Sequence, residues 1–308
     1  MSRFEGAGGR VAEVPDAAEV EGSVRLAAGP LPQVALAYEA GIRTLWLTIR
    51  PEPKPVVTPQ LLESVVRVQR AMMMLWGGEG RYGASPVRYL AFRGEGAVFS
   101  LGGDLDFYLD CLAAGDREAL EGYARLSVEC ACRNANGLGG LVVTLATVHA
   151  RAVGGGVDLA RACNVAIAEE GASFTYPELR ANQLPITAVG VLARRLGARE
   201  AERLLTSGEV YSAEDFHGRG GLEAVVPDGT GEAWLRTYAA ETLPTHAART
   251  ALFTALGRRA GSLDDELTHA AELWTEAMLR MGPQDIARLQ RLARAQERSL
   301  TRLYRALA

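Results

Sequence analysis

The sequence predicts an α/β core followed by an α-helical C-terminal region. Between residues 33 and 228, strand-like and helix-like segments alternate along the chain. Within that part, Leu141–Val148 (LVVTLATV) is a continuous apolar run, which is typical of a strand covered on both faces. After Gly229 only helical periodicity remains. Alternation of this kind favours βαβ crossovers and a parallel sheet, with the helices of residues 229–308 added to it.

The first elements are an arm, a hairpin and a helix. Residues 1–32 are rich in Gly, Ala, Pro and Glu, which favours a loosely ordered N-terminal arm. Val34–Tyr38 and Thr44–Ile49 are predicted to pair as a β-hairpin. Thr58 is a candidate N-cap ahead of Pro59, and the helix that it begins is predicted to end near Gly77.

The remaining elements follow in the same alternation. The pattern predicts further strands over Val87–Phe92, Leu141–Val148 and Val165–Ala168. It predicts helices over Asp104–Arg133, with a break near Gly115, then over Gly155–Ala162 and Thr187–Leu196. The C-terminal region is predicted to hold four helices, over Glu232–Glu241, His246–Leu256, Leu263–Met281 and Pro283–Leu307.

Charge and lysine content exclude several classes of function. The chain has 33 basic and 37 acidic residues and a formal net charge of −4, so it lacks the basic excess that nucleic-acid binding needs. Lys54 is the single lysine, and it lies in a proline-rich segment (PEPKP). P-loop enzymes, pyridoxal enzymes and protein kinases all need a lysine on an ordered element, so these classes do not fit.

The cysteines and histidines predict no metal site. Neither the four cysteines nor the four histidines show the paired spacing of zinc ligands. The first 15 residues have no apolar segment of a secretory signal, and the chain has no apolar run of the length that spans a membrane. These features predict a cytoplasmic protein with reduced thiols, no metal and no membrane span.

Two well-known sequence motifs do not support the functions that they usually indicate. Gly78–Gly83 (GEGRYG) satisfies the G-x-G-x-x-G pattern, but a helix precedes it and a strand follows it. Dinucleotide binding needs the reverse order, so a plain loop is predicted there. The chain contains no G-x-S-x-G motif, which leaves a serine hydrolase of that type unsupported.

Two glycine clusters each open a predicted helix after a strand. They are Phe99–Asp104 (FSLGGD) and Val153–Asp158 (VGGGVD). Glycine lacks the Cβ that would block close approach, and a helix start presents unpaired N–H groups. Together the clusters predict an oxyanion hole, although each one alone is also typical of a tight turn.

Asp158 and Glu178 form a candidate pair of catalytic carboxyl groups. Asp158 lies in the first turn of a predicted helix, and Glu178 follows a short strand and a proline (YPEL). Both therefore lie near element ends at one predicted edge, where two carboxyl groups can divide acid and base work. A helix N-terminal carboxylate and a solvated loop acid remain the alternative interpretations of the two residues.

In combination, these motifs resemble the crotonase (enoyl-CoA hydratase/isomerase) superfamily. That superfamily has a Phe-x-x-Gly-Gly-Asp turn, a later Gly-Gly-Gly-x-Glu helix start and a Pro-Glu further on, and the chain shows all three in order with Asp in place of the first Glu. Within the superfamily the chain is most similar to the diffusible-signal-factor synthases. The segments that carry this narrower similarity are Val98–Leu105, Ala114–Arg117, Ile167–Gly171, Gly208–Glu214 and Leu289–Gln296.

The resemblance implies a crotonase-type ββα spiral core and roles for the motif residues. The backbone N–H groups of Gly103 and Gly155 would bind the thioester oxygen, Glu178 would move a proton, and Asp158 would stand where relatives have their first glutamate. Aspartate is shorter by about 1.5 Å, one carbon–carbon bond. Either the site is rearranged to suit Asp158, or Asp158 no longer does the glutamate's task, which favours an isomerase or hydrolase over a hydratase. In a further alternative, Arg161 holds Asp158 in a structural pair. Leu184–Ala188 also departs from the glycines of relatives, which predicts a bulkier pocket wall.

The resemblance also implies a function and an assembly. The expected function is dehydration or hydration of an acyl thioester through an enolate, with thioester hydrolysis as a further possibility. An isomerase or hydrolase of secondary metabolism and a catalytically inactive subunit are the alternatives. The substrate would be an acyl-CoA or an acyl-ACP (acyl carrier protein), so that coenzyme A or phosphopantetheine enters only as part of the substrate and no separate cofactor is expected. A homotrimer or hexamer is the expected assembly.

Overall fold

The protein is built on a six-stranded sheet. The computed structural model describes residues 16–78, 85–257 and 262–307, with side chains up to residue 301. The strands lie in the order β1-β2-β3-β4-β6-β9, and only β1 and β2 are antiparallel. Their bounds are β1 Val34–Glu39, β2 Thr44–Ile49, β3 Tyr89–Gly94, β4 Val143–Val148, β6 Val165–Glu169 and β9 Ala224–Val226.

A small second sheet lies beside the first, and two of its strands lead into the candidate active site. It consists of β5 (Ala152–Val153), β7 (Ser173–Thr175) and β8 (Val210–Ser212), in the order β5-β7-β8. β5 and β7 are parallel, whereas β7 and β8 are antiparallel. The sequence analysis predicted only a short strand before Glu178 in this region, because two- and three-residue strands carry almost no periodicity.

Thirteen α-helices in the described ranges surround the two sheets. The first nine are α1 Ala17–Ala28, α2 Pro59–Trp76, α3 Leu105–Ala114, α4 Arg117–Ala135, the single distorted turn α5 Gly137–Gly140, α6 Gly155–Arg161, α7 Ala188–Leu196, α8 Ala198–Ser207 and α9 Ala213–Gly218. The C-terminal four are α10 Gly231–Thr242, α11 His246–Gly257, α12 Leu263–Leu279 and α13 Pro283–Leu307. The predicted α/β class with a C-terminal helical region is confirmed.

Local chemistry explains why several helices begin where the sequence predicted. The side chain of Thr58 accepts a hydrogen bond from the Leu61 N–H, which caps α2. Asp104 and Asp116 cap α3 and α4 in the same way. Gly115 adopts a φ of 67° between these two helices and so produces the predicted break.

The expectation of a loosely ordered arm is wrong for residues 17–28, which form helix α1. Val20, Val24 and Ala28 lie four residues apart and are buried, so they give the helix one apolar face. Glu21 accepts a hydrogen bond from the Tyr38 N–H, and Arg25 donates one to the Leu36 carbonyl. Helix α1 thereby covers the outer edge of β1, which is the kind of sheet edge that proteins protect.

The C-terminal helices pack on the α/β core of the same chain. Helix α10 lies against β3, β4 and β6, and α12 lies against α4 and α7. In the described part of the chain, no helix is long and apolar enough to cross a membrane. The loop predicted at Gly78–Gly83 lies outside the described residues from position 79 onward.

Arg161 is a buried cation on the helix that carries Asp158, and it pairs with Glu223 rather than with Asp158. Its guanidinium makes two bonds of 3.0 Å to the Glu223 carboxylate and one of 2.9 Å to the Gly221 carbonyl. The side chain of Arg161 is 1% exposed and that of Glu223 is 35% exposed. The alternative that Arg161 holds Asp158 in a structural pair is therefore wrong.

Removing the carboxylate of Glu223 is expected to destabilise the fold. Glu223→Gln leaves the Arg161 charge buried without its counterion, which typically costs 3–5 kcal/mol. Because Glu223 is one-third exposed and water can reach the site, we expect the free energy of unfolding to fall by about 2 kcal/mol. Urea denaturation measures this change.

Arg50 and Glu95 offer a matched control, since they form the same two-bond pair on the surface, with side chains 53% and 51% exposed. Glu95→Gln is expected to change stability by less than about 1 kcal/mol. Equal losses in the two variants would contradict the assignment of a structural role to the buried pair.

Candidate active site

The small sheet brings the two candidate carboxyl groups together. β5 and β7 pair in parallel, with Val153 opposite Thr175, and the Gly154 N–H donates to the Thr175 carbonyl at 2.9 Å. Both strands therefore end at the same edge. Asp158 follows β5 in the first turn of α6, and Glu178 follows β7 at the start of a 3₁₀ turn. The predicted juxtaposition at one edge is thus what the structure has.

Both glycine clusters contribute to the same cavity. Gly103 precedes α3, and Gly155 is the first residue of α6. Within residues 16–78, 85–257 and 262–307, neither the Gly103 N–H nor the Gly155 N–H has a hydrogen-bond acceptor. Both residues line the cavity, so two free backbone donors are available there.

Side chains crowd the glycine turns so closely that only glycine fits at two positions. A Cβ at Gly103 would collide with the hydroxyl of Tyr108. Gly154 has a φ of +47°, and a Cβ there would overlap Oε1 of Glu178. The absence of a side chain thus lets the Glu178 carboxyl group lie directly over the turn that begins α6.

The cavity has a volume of about 350 Å³ and a largely apolar wall. It lies between the two glycine turns, helices α2 and α4, and the C-terminal helices α12 and α13. The polar and aromatic groups on its wall are Tyr108, Tyr123, Ser127, Arg151, Asp158, Thr175, Glu178, Arg180, Gln183, Thr187, Trp274, Gln296 and Ser299. This size and lining are typical of a small-molecule site.

Asp158 is buried at 4% exposure, and both of its oxygens are held. Oδ1 accepts from the Tyr176 hydroxyl at 2.7 Å, and Oδ2 accepts from the Thr187 hydroxyl at 2.6 Å. Burial raises the pKa of Asp158 to about 6, because the charged form is desolvated, while these two hydrogen bonds act in the opposite direction. Asp158 is therefore a fixed carboxyl group on the cavity wall.

Glu178 has a different environment. Although part of the residue is accessible, its Oε2 is buried and has no hydrogen-bond partner among the described residues. Burial raises the pKa of Glu178 to about 8, with a smaller contribution from the nearby charge of Asp158. An unpartnered buried oxygen on a cavity wall is available to a ligand.

An aromatic cluster lines the cavity beside Gly103, and the sequence analysis did not identify it. Tyr108, Tyr123 and Trp274 contact one another, with ring centroids 5.2 to 6.1 Å apart. Burial raises the pKa of both phenols, so both stay neutral at physiological pH. Tyr108 lies four residues after the N-cap Asp104, a helical spacing that could have placed it near the turn. Trp274 had no such signal.

Two further residues were missed as partners of Asp158. Tyr176 lies in the YPEL segment, and Thr187 begins a predicted helix. Neither segment by itself indicates that the two hydroxyls bond to the same carboxylate. The segment predicted to form a bulkier wall does line the cavity, through Leu184, Pro185, Ile186 and Thr187. In the described part of the chain, no group of three or more His, Cys, Asp or Glu residues is placed to hold a metal.

Comparison with known proteins identifies the family of the chain. The model of the enoyl-CoA hydratase/isomerase family matches residues 86–273, which is more than half of the chain. A mevalonyl-coenzyme A hydratase of Beauveria bassiana is 27% identical over 189 residues, which cover 58% of this chain and 66% of that protein. A cyclohexa-1,5-dienecarbonyl-CoA hydratase of Thauera aromatica is 27% identical over 145 residues, which cover 47% and 52%. The chain thus spans about half to two thirds of the length of these curated relatives.

A solved structure supports the fold. The enoyl-CoA hydratase/isomerase from Xanthobacter autotrophicus Py2 superposes with a TM-score of 0.71 at 20% identity, covering 88% of this chain and 96% of that one. The narrower similarity to diffusible-signal-factor synthases stays a prediction. Because the family model matches more than half of the chain and the fold agrees with it, the chain belongs to the enoyl-CoA hydratase/isomerase family, the crotonase superfamily.

Proposed function

We propose that the protein hydrates a 2-enoyl thioester, or dehydrates the corresponding 3-hydroxyacyl thioester, through an enolate. One observation carries the proposal: two unpaired backbone N–H groups and two carboxyl groups of different pKa line one cavity. An enolate needs hydrogen-bond donors at its oxygen and an acid that protonates its α-carbon. Hydration needs in addition a base that takes a proton from water. All three are present in this cavity.

The different pKa values assign different roles to the two carboxyl groups. With pKa values of about 6 and about 8, Asp158 is mostly ionised and Glu178 is mostly protonated at pH 7. Asp158 is therefore the base, and Glu178 is the acid, in the hydration direction. Pairs of carboxyl groups with separated pKa values are the usual sign of such a division of acid and base work.

In the proposed reaction the thioester oxygen accepts hydrogen bonds from the N–H groups of Gly103 and Gly155. These donors stabilise the negative charge that develops on that oxygen, and one such donor is typically worth about 3 kcal/mol. Because both belong to backbone turns packed against side chains, they are held in place before the reaction begins.

The proton steps then balance as follows. Asp158 takes a proton from water, the resulting hydroxide oxygen bonds to the β-carbon, and Glu178 gives its proton to the α-carbon. The reaction leaves Asp158 protonated and Glu178 ionised, and proton exchange with solvent restores the starting state. Dehydration follows the same steps in reverse.

Coenzyme A is the proposed carrier, since the two relatives named above carry it in their names. An acyl-ACP substrate, thioester hydrolysis and the synthesis of a signal fatty acid remain proposals from the sequence resemblance. An isomerase or hydrolase that uses Glu178 alone is the second candidate, and the hydrogen bonds that occupy both oxygens of Asp158 favour it. Cytoplasmic location and assembly as a trimer or hexamer also stay predictions.

Turnover of 2-enoyl and 3-hydroxyacyl thioesters on both carriers by the purified protein tests the proposal. Interconversion of the two supports a hydratase. A shifted double bond without water addition would replace it with an isomerase, and release of free thiol would replace it with a hydrolase. No turnover of any of these thioesters would contradict all three and favour the catalytically inactive subunit.

Glu178→Gln is expected to lower kcat by a factor of about 10² to 10⁴, because glutamine cannot supply the proton. Steady-state kinetics with the best substrate of the wild type measures the change. The matched control is Glu170→Gln, an exposed glutamate that follows β6, which is expected to leave kcat unchanged. Full turnover by Glu178→Gln would remove Glu178 from the mechanism.

The pH dependence provides a separate prediction. Hydration needs ionised Asp158 and protonated Glu178, so kcat/KM is expected to fall below about pH 6 and above about pH 8. Tyr176→Phe removes a hydrogen bond that stabilises ionised Asp158. We therefore expect the pKa of Asp158 to rise and the acid limb to move up by about one pH unit.

The control for this shift is Tyr89→Phe, which removes a buried hydroxyl that bonds to Thr242 and does not line the cavity. Its profile is expected to match that of the wild type. An acid limb that does not move in Tyr176→Phe would show that a group other than Asp158 controls it.

A further inference from the structure

The C-terminal helix α13 forms one wall of the cavity. It packs against α3 and against the 3₁₀ turn that begins at Glu178. Its residues on the cavity wall are Leu292, Ala295, Gln296 and Ser299. Leu300, four residues after Gln296, belongs to a buried cluster with Val56, Val98 and Leu101. Helix α13 therefore touches the oxyanion turn, defined here as Leu101 to Gly103, through both apolar and polar contacts.

The polar contact comes from one side chain. Nε2 of Gln296 donates to the Leu101 carbonyl at 2.8 Å and lies 3.3 Å from the Gly103 carbonyl. Between these two groups, the Gly102 carbonyl accepts from the Val57 N–H at 2.7 Å. All three successive carbonyls of the oxyanion turn are therefore bound, two of them by Gln296.

The bonds from Gln296 form a clamp on either side of the peptide group that carries the Gly103 N–H. The free N–H of Gly103 belongs to the peptide plane between Gly102 and Gly103, and Gln296 holds the planes on both sides of it. Gly102 has a φ of +91° and no side chain to pack. The Val57 N–H holds this plane through the Gly102 carbonyl, and Gln296 adds a second restraint on its orientation.

A salt bridge holds the helix next to this turn. Nζ of Lys54 bonds to Asp106 on α3 and, at 3.0 Å, to Glu297 on α13. Burial lowers the pKa of Lys54, but its bonds to the two carboxylates outweigh that effect and the pKa is raised overall. The ammonium group is therefore charged, and it links the segment before Val57 to both helices.

We propose that Gln296 is a positioning residue that aims the Gly103 N–H at the thioester oxygen, so that seating of α13 completes the oxyanion hole. The inference rests on the proposed function for its catalytic meaning, but the clamp itself is a property of the free protein. A displacement of about 1 Å in a catalytic group can cost a factor of about 10² in rate, so a loosened turn has a measurable effect.

The first experiment needs no substrate. Gln296→Met keeps the length and helix propensity of the side chain but removes the donor. We expect amide hydrogen exchange over residues 99–104 to become at least about tenfold faster, because the clamped turn opens more easily. The matched control is Gln290→Met, at an exposed position on the same helix, which should leave exchange unchanged.

The second experiment measures the oxyanion hole directly. In the wild type, infrared difference spectra of bound crotonyl-CoA labelled with ¹³C at the thioester carbonyl should show the stretching band below its position in water. In Gln296→Met the band should move at least halfway back, and kcat should fall about tenfold with KM changed less than about threefold. Gln296→Glu, which places a carboxylate against two carbonyls, should lower kcat further.

These outcomes separate the two proposals. Unchanged exchange at the turn in Gln296→Met, or faster exchange spread evenly over the chain, would overturn the clamp. Faster exchange at the turn with an unmoved carbonyl band and unchanged kcat would overturn its role in positioning. If the wild type turns over no thioester while the turn loosens as expected, the clamp stands and the proposed function fails.

Discussion

The proposed chemistry depends on one short stretch of parallel pairing. Two residues of β5 lie beside two residues of β7, and the Gly154 N–H extends this contact to the Thr175 carbonyl. Without it, Asp158 and Glu178 would be side chains 20 positions apart on a flexible chain. With it, both strands end at one edge, and the carboxyl groups that follow them face one cavity. Two hydrogen-bonded strands thus determine where the two carboxyl groups lie.

Environment rather than residue type distinguishes the two carboxyl groups. Both are desolvated, and burial raises both pKa values. Asp158 also accepts two hydroxyl hydrogen bonds, which favour its charged form, whereas Oε2 of Glu178 has no partner in the described chain. Tyr176 and Thr187, from two different elements, hold the shorter aspartate side chain in place.

Helix α13 shows how a distant part of the chain enters the site. Its Gln296 is 193 residues from Gly103, yet its amide bonds to carbonyls on both sides of the Gly102 carbonyl. Leu300 and the salt bridge of Lys54 seat the same helix. The single lysine of the chain, Lys54, therefore forms a salt bridge beside the oxyanion turn.

Much of the fold could be predicted from local signals, and the errors have a common cause. The hairpin and the capped starts of α2, α3 and α4 follow from residues within a few positions of each other. Helix α1 was missed because composition outweighed the spacing of Val20, Val24 and Ala28, and because the strand edge that it covers is a tertiary feature. The partner of Arg161 could not be predicted either, since Glu223 is 62 residues away along the chain.

The sequence by itself determined the α/β class, the glycine turns and the two carboxyl residues, because turns, caps and apolar runs act over short distances. Only the tertiary structure decided which groups share a cavity, how the environments of the two carboxyl groups differ and which helix bonds to the oxyanion turn. Those properties depend on burial and on contacts between residues far apart in the chain. Their physical origin is desolvation and hydrogen bonding, and neither can be evaluated before the chain has folded around the groups concerned.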